Sequence, residues 1–119
     1  MKTLKSYTYE EAVAMIKANN ELEALYKELK PAFDENGPDF EYATDYVDVV
    51  VSEDFDENTD IETLTLIVSA FNPDWASSDL DYYNLDDAYV ATFEVPTIEQ
   101  AVCIIKDIED AQGNIKVEN

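Results

Sequence analysis

Between Asp54 and Asp60 the chain reads Asp-x-Asp-x-Asn-x-Asp. Oxygen ligands at that spacing occupy positions 1, 3, 5 and 7 of a calcium loop, which also needs Gly at position 6 and a bidentate Glu at position 12. Thr59 and Thr65 stand there instead. The segment therefore lacks both the sharp turn and the closing ligand, and no metal site and no cofactor are expected. A second property of the same residues points elsewhere. Asp54, Asp56, Asp60 and Glu62 share parity. In an extended chain they would project to one side, with i and i+2 about 6.6 Å apart. Glu57 adds a further charge beside them. Each strand of DNA presents a charge every ~3.4 Å of axis, so such a row suits Lys and Arg sockets built for phosphate. The bland alternative is a solvated loop and strand edge, charged to discourage edge-to-edge pairing.

The row lies within a much larger anionic tract. From Asp34 to Asp87 there are seventeen carboxylates and no Lys, Arg or His, and no cation occurs between Lys30 and Lys106. The chain carries 28 acids against seven bases, all Lys, for a net charge of −21. A charge of that size disfavours nucleic acid and anionic membranes and favours a basic partner, accelerating the encounter. It also serves solubility on its own. Disorder is not the expectation, because 46% of the 119 residues are hydrophobic and 14 are aromatic. Phe40, Tyr46, Val47, Val49, Val51, Leu64, Leu66 and Val68 interleave the acids as strand material.

Enzymatic chemistry finds few of its usual parts. Without His there is no His-based triad or zinc site. Without Arg there is no bidentate phosphate clamp. Gly37 and Gly113 are the only glycines, too few for a phosphate-cradling loop. A pair of carboxylates could cleave a glycosidic bond, but nothing distinguishes two among 28. Cys103 sits in an apolar helical pattern with no base nearby, as a packed thiol would. The expectation is a protein that is not an enzyme.

The elements that must position these acids can be read in order. Thr8 and Glu11 have capping-box spacing ahead of Ala12, Val13 and Ile16, and this helix should end near Asn19. Asn20 with Glu23 repeats the signal ahead of Leu22, Leu25, Tyr26 and Leu29. Pro31 disfavours helix at Lys30, and Asn36-Gly37-Pro38 is a stop. From Phe40 the period becomes two. Val47–Val51 and Ile61–Phe71 should pair as an antiparallel hairpin, with Ser52 to Asp60 as its acidic loop. Residues 72–87 read as turns carrying apolar groups, followed by a strand from Ala88 to Val95. Thr97 and Gln100 then cap a strong helix closed by Gly113, and Ile115 and Val117 suit a short last strand. The expectation is one α+β domain over residues 1–119, in the order α-α-β-β-β-α-β, with helices against one face of an antiparallel sheet. A lone Cys rules out an intrachain disulfide, and no segment approaches a membrane span or the apolar core of a signal peptide. A cytoplasmic location is the default.

In small size and extreme acidity the chain resembles the DNA-mimic inhibitors of phages and mobile elements, of the anti-restriction and anti-CRISPR kind. The resemblance rests on charge and length over the whole chain, with no shared motif. It implies that carboxylates occupy a basic nucleic-acid-binding groove on a defence nuclease, either a restriction enzyme or a CRISPR effector, which holds nucleic acid in a positively charged channel. Asp54, Asp56, Glu57, Asp60 and Glu62 would form a first charged row. Asp74, Asp79, Asp81, Asp86 and Asp87 would form a second, with Trp75, Tyr82 and Tyr83 as apolar anchors of the kind interfaces favour. The alternative is an immunity or antitoxin protein that neutralises a basic toxin. Neither reading involves direct contact with nucleic acid or a membrane.

Overall fold

The structure is a computed structural model whose described residues are 2–71, 89–112 and 115–117; at residues 2, 3, 116 and 117 the description is of the backbone. The chain runs β1 (Lys2–Leu4), α1 (Tyr9–Ala18), α2 (Asn20–Asn36), a 3-10 turn (Gly37–Asp39), β2 (Tyr42–Ala43), β3 (Val47–Asp56), β4 (Ile61–Phe71), β5 (Tyr89–Val95), α3 (Ile98–Asp110) and β6 (Ile115–Val117). This is the expected α+β arrangement, an antiparallel sheet with the C-terminal helix packed on it, to which β1 and β2 are added. The sheet order is β2-β3-β4-β5. Strands β1 and β6 form a separate parallel pair, with Lys2 opposite Ile115 and Leu4 opposite Val117.

Helix α3 is the centre of the structure. It contacts β3, β4 and β5 on one side and α1 and α2 on the other. That position explains its sequence: Ala101, Val102, Cys103, Ile104 and Ile105 are all buried in succession, and a helix apolar on most of its surface must be enclosed. The sheet supplies Val47, Val49, Leu66, Val68, Phe93 and Val95 to the same core. These alternate with outward residues, as a half-buried sheet requires.

Local chemistry sets the boundaries. Thr8 and Glu11 form a reciprocal capping box, with Glu11 N–H donating to Thr8 Oγ1 at 3.1 Å and Thr8 N–H to Glu11 Oε1 at 3.0 Å. The cap of α2 falls on Asn19, one residue before the expected Asn20. The Asn19 Oδ1 accepts from both Glu21 N–H and Leu22 N–H, at 2.9 and 3.2 Å, which separates two helices cleanly at that residue. Helix α2 then runs through Lys30 and Pro31 to Asn36, contrary to the expectation that Pro31 would disfavour helix there. Proline in a helix interior costs ~3 kcal/mol; here Pro31 is exposed, while Leu22 and Leu29 are buried on the opposite side and hold the helix in place. Gly37 ends it at φ 54°, ψ −123°, a conformation suited to glycine. At the end of α3 the positive φ is taken by Gln112 (φ 52°), and Gly113 lies outside the described residues.

The N-terminal segment is fastened to α3 through side chains. Thr97 Oγ1 caps α3 by accepting from Gln100 N–H at 3.4 Å. The Gln100 side-chain amide accepts from the Thr97 hydroxyl at 2.6 Å through Oε1 and donates through Nε2 to the Tyr7 carbonyl at 2.7 Å. The Tyr7 hydroxyl donates to the buried carboxylate of Asp107. Burial and that carboxylate both push the Tyr7 pKa well above the usual phenol value.

Candidate functional site: an acidic two-stranded arm

Strand β3 does not stop where its apolar alternation stops. Pairing with β4 continues through Ser52–Thr65, Glu53–Leu64, Asp54–Thr63, Phe55–Glu62 and Asp56–Ile61. The expected acidic loop of Ser52 to Asp60 is therefore mostly strand, and the turn itself is only Glu57 to Asp60. Neighbouring strands do not follow this extension. Strand β2 pairs with β3 only at Asp48 and Val49, and β5 reaches no farther along β4 than Leu66. Beyond those points no further described strand pairs with the hairpin, and the 3-10 turn packs against β3. It forms an arm in which every residue from Ser52 to Thr63 is exposed.

Six carboxylates stand on this arm, at Glu53, Asp54, Asp56, Glu57, Asp60 and Glu62, with no cation among them. The hairpin register distributes them differently from the same-parity expectation. In a strand, successive residues point to opposite faces, and cross-strand partners share a face. Asp54 is opposite Thr63 and Asp56 opposite Ile61, whereas Glu62 is opposite Phe55. Hence Asp54 and Asp56 lie on the sheet's outer face, and Glu62 joins Glu53 and Phe55 on the face that continues the core side. A four-residue turn reverses the chain between residues of opposite parity, so Glu62 cannot extend the row begun by Asp54 and Asp56. The arm is anionic on both faces.

The tip is shaped by its own acids. Asp56 Oδ1 accepts from Asn58 N–H at 2.9 Å, an Asx turn. The Asp56 carbonyl accepts from Asp60 N–H at 2.8 Å. Asp60 takes φ 59°, a left-handed conformation that Asp tolerates better than most residues. One Asp56 oxygen is thus used within the turn. On the core-side face the Glu53 carboxyl hydrogen-bonds that of Glu62, and this bond together with the Glu62 charge raises the Glu53 pKa above the ordinary carboxyl value.

Two apolar side chains accompany the charges, Phe55 (55% exposed) and Ile61 (58% exposed). They lie on opposite faces, each beside carboxylates. Glu53, Phe55 and Ile61 were absent from the sequence-predicted site, although the period-two pattern of β3, if continued past Val51, places Glu53 and Phe55 on the core-side face. Trp75, Tyr82 and Tyr83, with Asp74, Asp79, Asp81, Asp86 and Asp87, lie outside the described residues.

Among the described residues no group of three or more Cys, Asp or Glu side chains is arranged to hold a metal ion. The calcium-like spacing runs along a strand into a tight turn, in which one Asp56 oxygen is already used. Cys103 is fully buried, its thiol donates to the Ala12 carbonyl at 3.8 Å, and burial raises its pKa to about 11. That is the environment of a packing thiol. No helix among the described residues is long and apolar enough to cross a membrane.

Fold and site together define an α+β protein that presents an acidic β-arm. Neither a protein-family model, nor a curated protein, nor a solved structure matches the chain.

Proposed function

We propose that the chain is a non-enzymatic inhibitor, acting in the cytoplasm of the host cell, that inserts its acidic arm into the nucleic-acid groove of a defence nuclease. Restriction enzymes and CRISPR effectors are the target class. The observation that carries this reading is the arm itself, a projecting two-stranded element with six carboxylates on both faces and no cation. A groove that binds nucleic acid offers Lys and Arg on facing walls, and an arm charged on both faces can engage both walls. Phe55 and Ile61 supply apolar contact within the charged field, and fully desolvated contacts of that kind carry most of an interface's binding energy. Inhibition needs only occupancy.

The test is a pull-down from host lysate with the purified protein, followed by competition. A retained nuclease or effector should be displaced by its DNA and should bind more weakly as salt rises, since attraction between opposite charges is screened. Replacing Asp54, Glu57, Asp60 and Glu62 by Lys should abolish binding, chiefly by slowing association. Unchanged affinity in that variant would sink the proposal. Capture of a small basic toxin in place of a nuclease would move the assignment to the immunity class.

A further inference from the structure

On the side of the molecule formed by the helices, a groove of about 310 Å³ runs between α1 and α2. Its apolar lining comes from Tyr9, Val13 and Ile16 on α1 and Tyr26 on α2. The α1 residues follow the spacing i, i+4, i+7, one continuous helical stripe. Ile16 is buried and Val13 and Tyr26 are half-buried, so their remaining exposed surface forms the groove floor.

The charges around the groove are unevenly arranged. Lys27 is neutralised by Glu23 at 2.7 Å. Lys30, in an adjoining depression, is held by Asp34 at 2.9 Å. Lys106 on α3 bridges Glu21 and Asp110. Lys17 differs, because among the described residues it has neither an ion pair nor a hydrogen-bonded partner. In a chain with four acids per base, a helix lysine left unmatched beside an apolar groove is unexpected. Its i+4 position, Glu21, lies beyond the helix break at Asn19 and is taken by Lys106. The remaining anion of the lining, Glu99, belongs with Tyr9, which shares both depressions with it. Tyr9 and Lys17 are eight residues apart on α1, or roughly 12 Å at 1.5 Å per residue. The groove therefore has a cationic end at Lys17 and an anionic end at Glu99.

We infer that this groove binds a small amphipathic anion, a medium-chain aliphatic carboxylate, with its head at Lys17 and its tail along Val13, Ile16 and Tyr26 toward Tyr9. Three features fit that class. The volume lies at the small end of the range for ligand pockets, which are mostly apolar with a few polar groups that fix orientation. The 12 Å run between the ends suits a tail of about ten atoms. Lys27 and Lys30 each carry their own acid, so Lys17 is the lysine left to fix the ligand's direction. The site is separate from the acidic arm and does not depend on its function.

The chain's own charge makes the test discriminating. A field of −21 favours a cationic amphiphile over an anionic one everywhere except beside a local cation. Decanoate and decylammonium, titrated separately in 0.15 M salt, where the Debye length is about 8 Å, should therefore behave differently. The readout is the methyl NMR shifts of Val13 and Ile16. Decanoate should shift both saturably and at lower concentration than decylammonium. Lys17→Gln should weaken decanoate about fivefold, as expected for an exposed charge pair, and Lys17→Glu should reverse the preference. Val13→Phe, which fills the floor, should weaken both amphiphiles alike. Neutralising Asp54, Glu57, Asp60 and Glu62 on the arm should leave decanoate binding in place. Equal or tighter binding of decylammonium by the unmodified protein would overturn the inference. So would shifts confined to methyls elsewhere, or a decanoate midpoint indifferent to both Lys17 variants.

Discussion

Helix α3 and the acidic arm are nearly equal in length, thirteen residues against twelve, and opposite in almost every other respect. Nine residues of α3 are buried, whereas Ser52 to Thr63 are all exposed. The helix is enclosed by a sheet and two helices, and the arm is paired only through its own two strands. Stability is therefore concentrated in α3, where Lys106 pairs with Asp110 and Tyr7 holds Asp107, and carboxylates without a cation are gathered where few buried contacts depend on them. Six carboxylates crowded against a core would destabilise it through desolvation and mutual repulsion. Carried outward on a hairpin they remain hydrated. The molecule can keep a strong local field because the elements that hold the fold together lie elsewhere.

Core truncation should break that division most severely. Ile105 is fully buried in α3, and Ile105→Ala should destabilise by ~2–5 kcal/mol, from lost apolar contact and a residual cavity. Thermal or urea unfolding measures it directly. Neutralising Asp54, Glu57, Asp60 and Glu62 together should leave stability unchanged or slightly higher, more so at low salt, because exposed substitutions of this kind usually fall within ~0.5 kcal/mol. A loss in the arm variant rivalling that of Ile105→Ala would mean that the arm is part of the cooperative core.

A smaller effect is expected where the N-terminal segment meets α3. Tyr7→Phe removes the donor to Asp107 and should cost ~1–3 kcal/mol, the range for a hydrogen bond to a buried charged group. The bond also implies a pH dependence. The Tyr7 pKa is raised on folding, so the protonated phenol is the form the fold favours. Its contribution is complete below the unfolded phenol value of ~10 and is lost as pH rises beyond it. Unfolding curves of the parent protein and Tyr7→Phe should thus run parallel up to about pH 10 and approach each other progressively above it. Curves that stay parallel above that pH would show that Tyr7 contributes packing without the carboxylate bond.

How much could be read in advance follows the same division. Helix α3 was legible because Thr97, the apolar stripe and the length all favour one structure. The capping box at Thr8 was legible for the same reason. In the sequence the arm looks like a loop, because no apolar residue after Val51 marks the strand's continuation apart from Phe55. Its pairing is carried by backbone hydrogen bonds, which leave no pattern in side-chain hydrophobicity. The facing of Glu62 is not legible in the sequence, because parity along one strand says nothing across a turn until the turn length is known. Pro31 shows the converse, a local penalty outweighed by burial of Leu22 and Leu29 along the same helix. Adjacent Asn19 and Asn20 are chemically equal caps, and only the backbone conformation at Asn19 decides between them. The groove at Lys17 could not be read at all, since it depends on which lysines find partners across helices.

The smallest effect concerns the arm's own titration, and it tests whether the two faces are truly distinct. Glu53 has a raised pKa because Glu62 shares a hydrogen bond with it and repels its charge. Being raised, its folded-state contribution is favourable below the ordinary carboxyl value of ~4.3 and is lost as pH rises through the shifted value. Acid therefore closes this cross-strand bond and neutral pH opens it. Followed by carboxyl-carbon NMR, Glu53 should titrate above an ordinary glutamate, and Glu62→Gln should bring it back down. Asp54→Asn should move it less, because Asp54 is on the opposite face. An equal response to both substitutions would mean that the arm behaves as an undivided cloud of charge, and the two-wall mode of binding would lose its basis. If the faces are distinct, acidification should begin to remove charge at Glu53, on the core-side face. Association with a basic partner would slow as that charge is lost.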